Sequence, residues 1–262
     1  MVEDLVLTHS HLARLKDGEN HDQSGSAWRR VDESGRPIGA SVLDAEDVGT
    51  KQRIPGWVNW TDLGTCARVI AHLNDSYNRR SDGVTYIFTA SKHGGAVVVG
   101  LGETQIDAVR RGLAGDVNSP FGGFLGFNTP LERETAEFID RMFIEGTFAP
   151  DYEEAVVDLL RSTERVSAHA NRILARYPVR TLAELDGLID YRTIKGGLLT
   201  QTPQNLRLDV RNQACVVSGN QRNGDSMDVS CLGDEIVSAA QLAVDMGGLI
   251  ASNTVLYAVR NA

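Results

Sequence analysis

Val84-Thr85-Tyr86-Ile87-Phe88-Thr89-Ala90-Ser91-Lys92-His93-Gly94-Gly95-Ala96-Val97-Val98-Val99-Gly100-Leu101 carries two apolar runs on either side of a short polar, glycine-containing break. Val84–Phe88 and Ala96–Leu101 are short, apolar and rich in β-branched residues, so both are expected as buried strands. The period then changes. From Thr104 to Leu113, the residues Ile106, Val109 and Leu113 recur at helical spacing, and Thr104 with Asp107 has the form of a capping box. Strand, strand and helix in succession point to an α/β fold in which helices cover a layered sheet.

Farther along, Phe121–Phe127 reads as a glycine-rich strand that another backbone or a ligand approaches closely. Thr129-Pro130-Leu131-Glu132 has the form of a helix start, and that helix would present Phe138, Ile139, Met142 and Phe143 on one face. Gly146–Ala149 is expected as a strand and Asp151–Leu160 as a helix with Val156, Leu159 and Leu160 inward. Thr163–Gly187 is mainly helical in pattern, broken at Pro178; Thr193–Gln201 and Ala214–Ser218 read as strands. Asp234–Met246 reads as a helix stopped by Gly247-Gly248, and Thr254–Val259 as a last apolar strand. The polar stretches Gly18–Ser26 and Gly219–Asp228 are the expected exposed loops.

Composition excludes several classes. The 262 residues are 42% hydrophobic, with 26 Lys+Arg against 35 Asp+Glu for a net charge of −9. This is globular composition, and its acidity argues against nucleic-acid binding that depends on phosphate neutralisation. No apolar run approaches the roughly 18–20 residues that span a bilayer, and Met1-Val2-Glu3-Asp4 is acidic where a signal peptide would be basic. A cytoplasmic protein without membrane partners is the expectation. Cys66, Cys215 and Cys231 lie far apart, which argues against a disulfide framework or structural zinc. His9, His11, His21, His72 and His169 are scattered without metal-ligand spacing, so no metal is expected.

Two segments could carry chemistry. Ser91-Lys92-His93-Gly94-Gly95 follows a strand directly, where loops converge on ligands in α/β folds. A lysine beside a histidine favours the neutral, proton-accepting imidazole; the same run also fits a solvated turn. Asp116-Val117-Asn118-Ser119-Pro120-Phe121-Gly122-Gly123 offers a carboxylate, a hydroxyl and glycine amides to a polar ligand, and equally fits ordinary turn chemistry with glycines kept for close packing.

Taken together, the segments resemble the transformylase portion of the AICAR formyltransferase/IMP cyclohydrolase family. Asp116–Asn128, D-V-N-S-P-F-G-G-F-L-G-F-N, is similar to the family's D-x-x-S-x-F-G-G-x-x-A-F-N. Glu134-Thr135-Ala136, Glu145-Gly146-Thr147-Phe148-Ala149-Pro150, Asp190-Tyr191-Arg192 and Gly196-Gly197-Leu198-Leu199-Thr200-Gln201 follow in the family's order. Leu15-Lys16-Asp17-Gly18-Glu19-Asn20-His21-Asp22-Gln23 resembles L-R-Y-G-E-N-P-H-Q near the start, and Ser252-Asn253-Thr254-Val255-Leu256-Tyr257-Ala258 resembles S-N-x-x-x-x-A near the end.

The resemblance implies a cytidine-deaminase-like layered mixed sheet without the deaminase zinc, with residues 1–200 as the deaminase-like lobe. Residues 201–262 would complete the same domain and carry the Ser-Asn motif. It implies formyl transfer from 10-formyltetrahydrofolate to an amine of a small metabolite, with Lys92, His93 and Asn253 as catalytic residues converging in one pocket. Lys16, Asn59, Asp116, Ser119, Phe121, Gly122, Gly123, Glu145 and Arg192 are the positions it marks for substrate. It also implies a homodimer with a pocket shared between chains.

The departures bear on substrate. The family's Arg-Tyr becomes Lys16-Asp17, its Pro-His becomes His21-Asp22, and its Asn-Pro after Lys-His becomes Gly95-Ala96. A carboxylate at position 17 repels phosphate, so the expected acceptor is an amine or amide of a specialised pathway and not the purine ribotide. The cyclohydrolase portion and the second transformylase lobe are expected to be missing. A folate-independent cyclase, dehydratase or hydrolase using the same Lys-His-Asn set is the alternative, as is a half-protein completed by a partner lobe.

Overall fold

The computed structural model of the chain describes residues 6–49, 55–78, 83–161, 172–178, 190–202, 210, 233–247 and 249. Two units make up the chain, Met1–Leu188 and Ile189–Ala262. In the first, strands β1 (His9–Arg14) and β2 (Ser26–Arg30) form an antiparallel hairpin. Then come β3 (Glu46–Asp47), helix α1 (Trp57–Asn78), β4 (Tyr86–Lys92), β5 (Gly95–Gly102), α2 (Gln105–Gly115) and β6 (Phe124–Phe127). The unit continues with α3 (Arg133–Ile139), β7 (Gly146–Ala149), α4 (Glu154–Arg161) and β8 (Ile173–Arg176).

The main sheet has six strands in the order β3-β8-β7-β6-β4-β5. β6, β7 and β8 run parallel, whereas β4 is antiparallel to both β5 and β6, and β3 to β8. This is the layered mixed sheet expected from the sequence. Both faces are covered. Phe88, Ala90, Leu125 and Phe127 pack with Ala108, Val109 and Leu113 of α2, Ile139 of α3 and Val156 and Leu160 of α4. Ser91 and Gly126 alternate to the opposite face, against Cys66 of α1. Burial on both faces explains why the central strands read as continuous apolar runs. Phe88, Phe124, Phe127 and Phe148 are fully buried, each side chain contributing about 1.5–3 kcal/mol of transfer free energy.

The second unit holds a hairpin of β9 (Asp190–Ile194) and β10 (Gly197–Gln201) and helix α5 (Asp234–Gly247). Within it, Val210 and Val237 are buried together, and the Val210 N–H donates to Gln241 Oε1 at 2.9 Å.

Several elements depart from the sequence-based expectation. The strand expected at Val84–Phe88 begins at Tyr86 and runs on to Lys92; Val84 itself is exposed. Phe121-Gly122-Gly123 is turn rather than strand, because Gly122 takes a positive φ and β6 starts only at Phe124. The helix expected from Thr129 starts at Arg133, and Met142 and Phe143 lie beyond its end. The reason is Gln105, at the start of α2. Its Nε2 donates to Thr129 Oγ1 (2.8 Å) and the Pro130 carbonyl (2.9 Å), and its Oε1 accepts from the Glu132 N–H at 2.9 Å. The backbone groups that a local cap would serve are therefore satisfied from another helix. Thr193–Gln201 is a hairpin with its turn at Lys195-Gly196, where Gly196 has φ +78°. Helix α1, 22 residues long, is absent from the expectation altogether. The strands expected at Ala214–Ser218 and Thr254–Val259 lie outside the described residues, as does most of Thr163–Gly187, but the described part of that stretch is strand β8 and not helix, paired in parallel with β7.

Candidate functional site

Lys92 pairs with Gly95 across the β4–β5 hairpin, which leaves His93-Gly94 as a two-residue turn. Both residues have positive φ, 55° and 75°, as a type I′ turn requires. Histidine is one of the few residues other than glycine that occupies this region at modest cost. Its ring therefore projects, exposed, from the tightest point of the hairpin.

Asp62 of α1 holds this turn. The residue is 2% exposed. Its Oδ1 accepts the Gly94 N–H at 2.6 Å, and its carboxylate also takes the backbone N–H of His93. Ser91 Oγ donates to the Asp62 carbonyl at 2.6 Å, and Thr65 Oγ1 donates to the Gly94 carbonyl at 2.8 Å. Burial pushes the Asp62 carboxyl above the usual carboxylate range, opposed by the two N–H bonds, while the nearby charge of Glu145 pushes it further up. Cys66 lies one turn along α1, fully buried, with Sγ 3.2 Å from Ser91 Oγ. Burial pushes its thiol up to about 12, so it packs as an inert side chain rather than serving as a nucleophile.

The raised Asp62 carboxyl has a measurable consequence. The folded chain binds this proton more readily than the unfolded one. Asp62 therefore contributes stability that is present below the ordinary carboxylate value and lost as pH rises through the raised one. Asp62→Asn keeps an oxygen for the Gly94 N–H and removes the titration. The stability of the native chain relative to Asp62→Asn should fall in thermal melts as pH rises above the ordinary aspartate value. A difference that grows with pH would show that the ionised carboxylate is the favoured partner of the turn.

Strand direction gathers further residues at the same end of the sheet. β4 ends at Lys92, and its antiparallel neighbour β6 begins there after Gly123; β7, parallel to β6, begins there after Glu145. Lys92 Nζ donates to the Phe121 carbonyl at 2.7 Å. An ammonium carries three N–H groups, so this bond ties the lysine to the 116–123 loop without using up its donors. A β-carbon on Gly123 would lie 2.4 Å from the Ser91 carbonyl oxygen, so only glycine lets the loop close over β4. The Glu145 N–H in turn donates to the Gly123 carbonyl at 2.9 Å. Lys92, His93, Phe121, Gly122, Gly123 and Glu145 thus form one neighbourhood, floored by Asp62.

Within the loop, the polar groups pair with one another. Asp116 Oδ1 accepts the N–H groups of Asn118 and Ser119, both at 2.9 Å, and Ser119 Oγ donates to Asp116 Oδ2. The Ser119 hydroxyl and these N–H groups hold the Asp116 carboxyl below the usual range. The Gly122 N–H goes to the Phe143 carbonyl and the Gly123 N–H to the Pro120 carbonyl. Of the two readings open for this segment, the glycine amides match close packing and turn chemistry. Phe121 is exposed at 59%, its ring 5.0 Å from that of Phe143. Asn128, which ends the same motif, is a clamp at the other end of the sheet: it bonds the backbone of Thr85 and Ile87 and the side chain of Asn74.

The remaining candidates are placed as follows. Lys16 is exposed, 3.8 Å from the Asp17 carboxylate. Asn59 sits in the first turn of α1, where its Oδ1 accepts the Gly56 N–H at 2.9 Å. Arg192 is exposed on β9 of the second unit, and Asn253 lies outside the described residues. Asp62 and Thr65 were not among the expected residues. The available signal was Leu63, Cys66, Ala67, Ile70 and Leu73, apolar at helical spacing, which places Asp62 on the sheet-facing side of a helix. Among the described residues, no three His, Cys, Asp or Glu side chains stand close enough to hold a metal ion, and no helix is long and apolar enough to cross a membrane.

Comparison with known proteins gives a consistent result. A family profile described as AICARFT/IMPCHase bienzyme matches residues 2–262. The chain is similar to the bifunctional purine biosynthesis protein PurH of Chlorobium phaeobacteroides strain BS1, at 32% identity over 82% of this chain and 37% of that protein. It is 29% identical to PurH of Chlorobium phaeovibrioides over 94% of this chain and 41% of the relative. With PurH of Parvibaculum lavamentivorans the identity is 36% over 45% of this chain and 21% of the relative. The chain thus spans about two fifths of the length of the two Chlorobium relatives. With its mixed sheet, its Lys92-His93 turn and a match running from residue 2 to residue 262, the chain belongs to the AICARFT/IMPCHase bienzyme family.

Proposed function

We propose that the chain transfers a formyl group from 10-formyltetrahydrofolate to the amine of a small, non-phosphorylated metabolite. The observation that carries this reading is the turn at Lys92-His93. Two residues able to handle a proton and a developing negative charge are held by Asp62 and by the Phe121 carbonyl, in a chain of this family. The donor supplies the electrophilic formyl carbon. As the acceptor nitrogen bonds to that carbon, His93 takes the proton the nitrogen sheds, and the Lys92 ammonium faces the oxygen that gains charge. The folate nitrogen departs with the electron pair of the broken C–N bond and a proton returned from His93. Asn253 completes the proposed set. The proposal includes a homodimer as the working assembly, and light scattering on the assayed preparation should show one.

Asp17 supports the choice of a non-phosphorylated acceptor. A β-carbon on Gly56 would lie 2.2 Å from Asp17 Oδ1, so the carboxylate stands against the N-terminus of α1, where an anionic ligand would otherwise be favoured. It also pairs with Lys16 at 3.8 Å and His21 at 3.1 Å, drawing on the charge a phosphate would use. At about 5 Å and an effective dielectric near 20, two like charges repel by about 3 kcal/mol, or roughly two orders of magnitude in affinity. Calorimetry should show the aminoimidazole carboxamide ribotide binding no better than its unphosphorylated riboside, with Asp17→Asn restoring preference for the ribotide. Micromolar ribotide binding by the native chain would overturn the substrate class. Failure of every amine to accept a formyl group in the presence of 10-formyltetrahydrofolate would overturn the reaction.

A further inference from the structure

The six-stranded sheet ends differently at its two edges. β3, at one edge, is two acidic residues long, the short, charged form that discourages further pairing. β5, at the other, is the eight-residue run G-A-V-V-V-G-L-G, with no charge and no proline. Hydrogen bonding on the far side of β4 fixes which β5 groups point outward. The Ile87 N–H donates to Asn128 Oδ1 at 2.8 Å, and the Ile87 carbonyl accepts the Asn128 N–H at 3.4 Å, so both Ile87 groups point away from β5. Antiparallel alternation then turns the N–H and carbonyl of Leu101, opposite Ile87, and of Val99, opposite Thr89, away from β4. Arg111 Nη1 donates to the Leu101 carbonyl at 3.2 Å. The Val99 N–H, the Val99 carbonyl and the Leu101 N–H have no hydrogen-bond partner among the described residues. Gly100 and Gly102 back onto Ala108 of α2, whereas Val99 and Leu101 lie half-buried on the opposite face.

We propose that the β5 edge is the interface of the homodimer: β5 pairs antiparallel with β5 of a second copy, Val99 of each opposite Leu101 of the other, so that the sheet continues through both copies. The open groups are self-complementary. A two-fold axis at Gly100 joins each Val99 N–H to a Leu101 carbonyl, which has a second lone pair beside Arg111, and each Leu101 N–H to a Val99 carbonyl. The same register lays Val99 against Leu101 on the face away from α2, giving two apolar cross-strand pairs. Arg111, which already reaches this edge, has Asp107 one turn before it on the same side of α2, so the two-fold rotation sets opposite charges toward each other. The assignment rests on the proposed function only for the homodimer, to which it gives a surface. It uses neither Lys92 nor His93 and holds whichever reaction those residues catalyse.

Sedimentation equilibrium and amide hydrogen exchange on the full chain test this surface together. The native chain should be a dimer whose Val99 and Leu101 N–H groups lose protection on dilution below the dissociation constant. Val99→Pro removes one outward N–H from each copy and no bond to β4, and proline is tolerated where the N–H of an edge strand faces outward. It should raise the dissociation constant at least about tenfold while circular dichroism shows the chain still folded. Val99→Lys sets a charge in the apolar pair with Leu101 and should do the same; it serves as the test if the proline variant does not fold. A native chain that stays monomeric would overturn both this surface and the homodimer. A dimer whose Val99 and Leu101 N–H groups exchange freely, or whose dissociation constant neither variant moves, would overturn this surface alone. The formyl-transfer assay on the same preparations judges the reaction separately.

Discussion

His93→Asn is expected to lower the rate of formyl transfer by about 10²–10⁴-fold, the range associated with losing a positioned general base, while the melting temperature stays the same or rises. The two readouts separate because the turn asks for something different from the chemistry. Residues 93 and 94 both hold positive φ, and Asn-Gly is a favoured pair for a type I′ turn. Asparagine should therefore preserve the hairpin, the Asp62 contacts and the Lys92–Phe121 bond, and remove only the imidazole. Lys92→Met should give a smaller loss, since it removes a charge and frees the 116–123 loop but leaves the base in place. Steady-state kinetics beside thermal melts provide the check. Retention of more than about a tenth of the native rate by a well-folded His93→Asn chain would show that the proton leaves by another route.

Arg172→Met is expected to destabilise the first unit by about 3–5 kcal/mol, the usual cost of removing one partner of a buried ion pair. Arg172 and Asp140 have side chains 1% and 7% exposed, and Arg172 Nη1 lies 2.7 Å from Asp140 Oδ1. The Arg172 Nη2 also donates to the carbonyls of Asp140 (3.0 Å) and Met142 (2.9 Å). Methionine restores much of the volume but none of the donors, so the Asp140 carboxylate and two carbonyls lose their Arg172 contacts together. The effect should reach the site as well. Phe143, next in the chain after Met142, accepts the Gly122 N–H on its carbonyl and packs its ring against Phe121, whose carbonyl holds Lys92. Urea unfolding should show the loss, and Arg172→Met with Asp140→Leu should recover a large part of it, because no charge is then buried unpaired. A single variant within about 1 kcal/mol of the native chain would mean that solvent reaches Asp140.

Much of the layered sheet was legible from short-range pattern. β7 spans Gly146–Ala149 as expected, β5 encloses the expected Ala96–Leu101, and Thr104 caps α2 by accepting the Asp107 N–H. Each depends on residues within a few positions of one another, whose periodicity and cap chemistry are written locally. The family was legible for a related reason: its motifs are contiguous, and the Asp116–Asn128 run carries its turn, its close-packing glycine and its clamp in thirteen consecutive residues.

Other features follow from pairings that no local pattern contains. The helix after Thr129 is delayed to Arg133 because Gln105, 24 residues earlier, takes the groups a local cap would use. The glycines of the 116–123 loop turn their N–H groups inward because Phe143 and Pro120 come within reach of them. Asp62 supports the His93-Gly94 turn from 32 residues away, and Asp47 meets the Leu174 N–H from 127. The sequence by itself determined β4 to β7 in outline, helices α2 to α5 and the identity of the Lys92-His93 pair, whereas β1, β2, β3, β8 and α1 were not legible in it. Only the tertiary structure decided which buried carboxylate holds the His93-Gly94 turn and which carbonyl holds Lys92, because a buried polar group takes whichever partner the packing of distant elements brings to it.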